Sequence, residues 1–424
     1  MKIFSVLNNP IVKKKVILSA LLSFFLLVIG YFLNNLPLFN GENLLQLRIA
    51  NECCNLLGIN KGVEYGDNVY FNIGYDKTLV PIVEANDTVG TFPYIDRDKV
   101  YTFLKWLHKS DKYKFVILDF AFDKSYRSTI DDSLFNLVSK MRDVVFVSDA
   151  KNSPLIRADL ASKTAMASYY ITDVSTNFTR FEFTRNDSIS MPLYIYERLN
   201  SEGKIKRYGL GRFSIYFSGG KLCQNSVFLT LDKFNLCAHL ETINGNQVYS
   251  PSYKNLGVYL KEIESYKNDS ISDNEILEKV INTDIANKNV VVGNFILDVH
   301  DTYKGPKAGS LIVMRALQSL NEKRHIVSIP STILWFIVFF ITIYFFVLNP
   351  KSIKLNNKHP KYSYIIKFLN FCLEIVSYTI VFQICSIFEY IAFDRVYGIM
   401  IPVMLLSLLK IYVQFKTFYN YENK

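Results

Sequence analysis

The sequence predicts an α/β domain held outside the cytoplasm between one N-terminal membrane helix and three C-terminal ones. Three observations carry this expectation. Strand-like and helix-like patterns alternate between Val69 and Leu320. Four apolar runs are long enough to cross a hydrocarbon core of about 30 Å at 1.5 Å per helical residue. Lysines crowd the flanks of those runs on one side.

The membrane elements come first. Val16 to Leu33 and Ser331 to Leu348 are apolar runs without a charge. Phe368 to Phe388 carries Glu374, and Val396 to Phe415 carries Lys410. The first run is read as an uncleaved anchor. It is longer than the roughly 7–15 residues of a signal h-region, and Tyr31 to Pro37 offers no small-residue cleavage site. The expected layout is a cytoplasmic N-terminus (1–15), spans at 16–33, 331–348, 364–388 and 396–415, a cytoplasmic loop (349–363), a cytoplasmic tail (416–424) and an outer domain (34–330). Residues 1–15, the 349–363 loop and the C-terminal end together hold as much formal charge as the whole chain, +10. The basic balance therefore reports a positive-inside inner-membrane topology. Nucleic acid is not an expected partner; the lipid bilayer is.

Within the outer segment, Glu42 to Leu57 keeps helical apolar spacing and stops at Gly58. Val69 to Ile73 reads as a strand and Arg97 to Leu107 as a helix. Phe115 to Leu118 is a continuous apolar run, as expected of a strand covered on both faces. Asp132 to Met141 reads as a helix, Val144 to Val147 as a strand, Val290 to Phe295 as another, and Ser310 to Leu320 as a helix. Strands alternating with helices imply a parallel sheet flanked by helices. The middle, with Phe178 to Thr184, Arg212 to Phe217 and Ser226 to Leu231, reads as β-rich. Ser272-x-x-Glu275 has the form of a capping box opening a helix to Ile281. Cys223 and Cys237 are either a bridge or two buried thiols.

The chain has no phosphate-binding loop, no zinc-protease helix motif and no serine elbow. Gly209-x-Gly211 lacks a third glycine, and five scattered His make a His-rich metal site improbable. What remains is a set of acids after strand-like runs: Asp76, then Asp119 and Asp123, then Asp298 and Asp301 flanking His300. Loops at the carboxyl ends of parallel strands converge on one crevice, so these side chains form a candidate pocket for a cation or a cationic or hydroxylated ligand. The alternative is that each Asp caps a helix or turn. No cofactor is named by these residues.

Tyr75-Asp76, then Pro93-Tyr-Ile-Asp-Arg97, then Val116-Ile-Leu-Asp-Phe-Ala-Phe122 with Asp132 and Leu134 resemble the CHASE domain of the second type, an extracytoplasmic sensory domain. The likeness continues at Thr179-Arg180, Ser190-x-Pro192, Val291-Val-Gly293 and Asp301-Thr302-x-x-Gly305-x-x-x-Gly309. It covers most of Val69 to Leu320, and adds Arg180 and Thr302 to the candidate ligand-binding residues. It implies a sensor in a bacterial inner membrane. Two departures stand out: Phe92-Pro93-Tyr94 replaces the family's tryptophan-proline run, and only a short stretch follows Phe415, where members often carry an output domain. The expected output is therefore a separate signalling or envelope protein. Competing readings are an extracytoplasmic metal-dependent hydrolase using Asp119, Asp123, Asp298 and His300, and a structural or assembly component of the envelope.

Glu374 lies about 9 Å into the third span and Lys410 about 7.5 Å from the end of the fourth. Similar depth on antiparallel helices makes them an expected ion pair within the membrane. The alternative is a snorkelling Lys410 and a protonated Glu374.

Overall fold

Six strands, all parallel, make the central sheet of the computed structural model. Their spatial order is Lys254–Asn255, Asn68–Asn72, Asn289–Gly293, Phe115–Asp119, Val144–Val147 and Thr164–Ala165. The structure describes residues 9–34, 40–59, 68–84, 87–120, 122, 128–147, 157–166, 179–185, 188–200, 204–209, 214–228, 238–243, 246–302, 305–348, 363–393 and 395–422.

Three of the four inner runs, Phe115–Asp119, Val144–Val147 and Asn289–Gly293, are buried at every residue, which is why they show no alternation of apolar and polar side chains. Their side chains still alternate between two faces. Val116, Leu118, Val290 and Val292 pack against three helices, Arg97–Ser110, Asp131–Lys140 and Leu256–Asn268. Phe115, Ile117, Val145 and Val291 pack on the other face against Met191–Leu199, Gly309–Asn321 and Asn40–Leu56. Caps set the helix ends. The Asp96 side chain accepts from Lys99 N at the start of Arg97–Ser110. Ser272 accepts from Glu275 N, and the helix it opens continues through a π-helical turn, Leu277–Ile281, to Ile285.

Several elements go beyond the sequence reading, among them the helix Met191–Leu199. Lys77–Glu84 and Asp87–Ile95 form an antiparallel hairpin after the first sheet strand. Ala238–Ile243 and Asn246–Pro251 form a second hairpin, which joins Gly305–Ala308 and Val299–Thr302 in a four-stranded sheet. The helix Leu256–Asn268 is a further one. The β-rich middle is present in shorter pieces. Arg180–Glu182 pairs with Ser226–Phe228, and Ile205–Tyr208, Ile215–Ser218 and Lys221–Cys223 make a small antiparallel sheet. Cys223 is a buried free thiol, pushed up to about 12 by burial. Cys237 lies outside the described residues.

Among the described residues, three helices are long and apolar enough to cross a membrane, where four were expected. They are Pro10–Leu33, Ile329–Val347 and Phe368–Phe393, with mean hydropathies of 2.6, 2.1 and 1.8. The fourth helix, Met400–Glu422, has a described apolar stretch of only Met400–Val413, about 21 Å at 1.5 Å per residue. Val396, expected inside it, precedes its first turn. These helices are packed inside out. Leu21, Phe24, Ile380, Ile384 and Phe388 face outward, while Ser19, Ser23, Glu374, Glu389 and Lys410 are buried. The helix Asn40–Leu56 bridges the two regions: Leu47 and Ala50 join the sheet's core, and Gln383 Nε2 donates to Gln46 Oε1 at 2.8 Å.

Candidate functional site

Asn72, Gly293 and Asp119 sit side by side at the carboxyl ends of three adjacent strands. The odd-numbered side chains of Phe115–Asp119 point toward the helix Gly309–Asn321, so Asp119 meets that helix at its first turn. Ser310 Oγ donates to Asp119 Oδ2 at 2.6 Å. Gly293 makes this approach feasible: a Cβ there would lie 2.2 Å from Ser310 Oγ. Asn72 holds the neighbouring turn, its Oδ1 accepting from Gly74 N at 2.9 Å and Phe295 N at 3.2 Å.

Asp298 and His300 complete the group. His300 Nε2 lies 3.0 Å from Asp298 Oδ1, and the Asp298 carbonyl accepts from Gly309 N at 2.8 Å. Burial, reinforced by the Asp298 charge, raises Asp119 to about 7, against the opposing Ser310 bond and His300. The hydrogen bond to Asp298 raises His300 above its ordinary value, with burial opposing and the Asp298, Asp119 and Asp301 charges adding to it. Two acids, a histidine and a hydroxyl therefore stand together at the carboxyl end of the sheet, with Asp119 and His300 both raised. Such a group suits a cation or a hydrogen-bond donor.

Other candidates have different places. Asp76 follows its strand as expected, but its carboxylate is engaged structurally. Its Oδ1 takes Lys99 Nζ at 2.7 Å, and its Oδ2 takes Gly257 N at 3.0 Å in the first turn of Leu256–Asn268. That is the capping role. Asp301 is exposed on the strand Val299–Thr302, and Thr302 Oγ1 donates to Gly305 O at 2.6 Å. Arg180 is buried in a different sheet, with Nη2 donating to Gln224 Oε1 at 3.3 Å. Asp123 lies outside the described residues. Among the described residues no group of three or more His, Cys, Asp or Glu has the placement to hold a metal ion. In the helical cluster, the Lys410 ammonium and the Glu374 carboxylate meet, both buried.

Sequence reasoning did not name Ser310 or Asn72 as site residues. The one local signal for Ser310 was its place in the first turn of a helix that follows Asp298.

Comparison of the chain with protein-family models, with curated proteins and with solved structures finds no match. The reading of the site rests on its own geometry.

Proposed function

We propose that this chain is a multi-pass inner-membrane sensor whose α/β domain stands outside the cytoplasm, in the manner of a CHASE-like domain. In this reading the crevice at Asp119, Asp298 and His300 takes a small cationic or hydroxylated ligand. Its occupancy is passed through the membrane helices to a separate signalling or envelope protein. The outward apolar belt and the lysine asymmetry of the sequence support the membrane placement.

One observation carries the sensory reading. The helix Gly309–Asn321 begins on the crevice through Ser310 and is buried along nearly its whole length. A short connector, 322–328, joins it to the membrane helix that starts at Ile329. That connector is strapped down: Val327 N donates to Leu222 O at 2.9 Å, and Gln224 N donates to His325 O at 2.9 Å. A ligand donor that takes Asp119 Oδ2 from Ser310 acts on the first turn of a rigid rod whose other end leads into the bilayer.

The protonation of Asp119 gives a direct test. A carboxyl raised in the folded state holds an extra proton there between the ordinary 3.8 and about 7. Stability is therefore lost as pH rises through that window. His300, raised above 6.5, acts in the same direction as pH rises past that value. The melting temperature of the detergent-solubilised chain should fall between about pH 5 and pH 8, and Asp119→Asn should remove most of that fall. Spermidine at pH 8 should raise the melting temperature of the parent chain and leave Asp119→Asn unmoved. Equal pH slopes or equal ligand shifts in the two proteins would overturn the crevice as a ligand site. Protease added to spheroplasts should cut the α/β domain while a cytoplasmic marker protein stays whole; protection of the domain there would overturn the topology.

A further inference from the structure

A half-open cavity of about 520 Å³ lies where the first two membrane helices meet the α/β domain. Phe24, Leu27 and Val28 of the first helix and Ile333 and Phe336 of the second form its apolar wall. Phe24 is 63% and Ile333 54% exposed, so the mouth opens on the outward apolar belt. Gln224, Ser331, Glu389 and Arg395 give the otherwise apolar lining its polar groups. Tyr31, Trp335 and Tyr397 also line it, the amphipathic aromatics that favour the depth where a bilayer meets water.

These polar groups are unevenly satisfied. Glu389 is engaged on both carboxylate oxygens, by Ser331 Oγ and by Trp335 Nε1. Arg395, only 9% exposed, donates from Nη2 to Ile326 O, and its Nε has no hydrogen-bond partner among the described residues. A buried donor on a charged group left unpaired is costly, and an acidic group entering the cavity would relieve it. The volume falls in the roughly 300–1,000 Å³ range of small-molecule pockets.

We infer that the cavity is a binding site for an anionic membrane lipid. One acyl chain lies between Phe24, Val28 and Phe336, and the acidic head group accepts from Arg395. The mouth on the apolar belt favours a lipid over a free anion, which would have to enter past that wall. The site rests on the membrane reading above and is independent of the Asp119 crevice. Because Arg395 also holds the Ile326 carbonyl in the connector, the head group would sit beside the strap between the domain and the second membrane helix.

The chain has two tryptophans, and only Trp335 lines this cavity. In a Trp106→Phe background, Trp335 fluorescence is read in phosphatidylcholine vesicles. These carry increasing fractions of brominated-chain phosphatidylglycerol or brominated-chain phosphatidylcholine. The anionic lipid should reach half-quenching at about fivefold lower mole fraction, the preference typical of one basic side chain near a bilayer surface. Arg395→Gln should abolish that preference while quenching by the neutral lipid persists. Val28→Phe, which narrows the apolar wall, should weaken the anionic quench without touching the charge, and covers the case in which Arg395→Gln does not fold. Inorganic phosphate should leave the preference unchanged. Equal quenching by the two lipids, a preference kept by Arg395→Gln, or one erased by phosphate would overturn the lipid site. Absence of quenching by either lipid would instead overturn the membrane reading beneath it.

Discussion

Phe71, Val116 and Val290 are fully enclosed in the α/β domain, and lysines such as Lys112 and Lys279 stand in solvent. In the helical cluster Phe24, Ile380 and Phe388 face outward while Ser19, Glu374, Glu389 and Lys410 are enclosed. The same two rules, burying apolar area and pairing most buried polar groups, operate in both regions. What differs is the surroundings the outer face has to suit. In the domain, exposed ion pairs such as Lys112–Glu278 contribute little. In the cluster, a charge has no inexpensive position except against its partner.

The sharpest way to break this comparison is to remove one partner of the buried pair. Glu374→Ala should cost about 3–5 kcal/mol, as for any buried ion pair stripped of one side. The loss is read as reduced membrane accumulation and a lower melting temperature in detergent. Glu374→Lys should do at least as much harm, and adding Lys410→Glu should restore accumulation. Failure of the double change would mean that the two groups do not depend on each other.

Phe→Ala tests the packing side. Phe71 is fully buried, its ring 4.5 Å from Phe103 and 5.0 Å from Tyr259. Phe71→Ala should destabilise by about 3–5 kcal/mol. Phe388→Ala, on the outward face of the cluster, should cost less than about 1 kcal/mol. Chemical denaturation of the two variants side by side gives the ratio, and near-equal losses would show that Phe388 is packed against protein.

A charge placed on each outer face separates the surroundings directly. Leu79 and Ile380 are exposed to similar extents, 65% and 53%. Ile380→Asp should cost about 2.5–3.5 kcal/mol of insertion free energy, read as the fraction integrated into membranes. Leu79→Asp, on the hairpin, should stay within about 0.5 kcal/mol of the parent in thermal unfolding. A harmless Ile380→Asp would mean that this helix face meets water.

Helix caps give the smallest effect and should not distinguish the regions. Ser272 accepts from Glu275 N, and Ser328 accepts from Ser331 N at the start of Ile329–Val347, a helix long and apolar enough to cross a membrane. Each Ser→Ala should cost about 1 kcal/mol in thermal unfolding. A much larger loss at Ser328 would place that helix start away from water.

The legible parts of the fold were those with local causes. The inner strands announced themselves as unbroken apolar runs, and the Ser272 capping box was readable from its spacing alone. The hairpin Lys77–Ile95 was obscured by Pro81 and Pro93, residues that argue against a strand unless it lies at an edge. The helix Leu256–Asn268 was obscured for another reason. Its first turn is capped by Asp76, 181 residues away, and a Cβ on Gly257 would lie 2.2 Å from that carboxylate. The crevice follows the same pattern. Its acids were visible as strand-end residues, but Ser310 and Asp119 are 191 positions apart and no local pattern joins them.

The helix Asn40–Leu56 has one further consequence, for how the chain is made. Glu42 accepts from Met400 N, and Gln46 from Gln383, across separations of 358 and 337 residues. At a synthesis rate of about 5–20 residues per second, Glu42 waits roughly 18–70 s on the ribosome's clock before Met400 exists. For most of that interval the helix also lacks the later parts of the core it packs on, Val291 and Leu311 to Leu320, and Gln383 is made shortly before Met400. The helical cluster is therefore closed from its far end, and a chain stalled before Met400 would leave the Glu42 carboxylate without the backbone donor that anchors it.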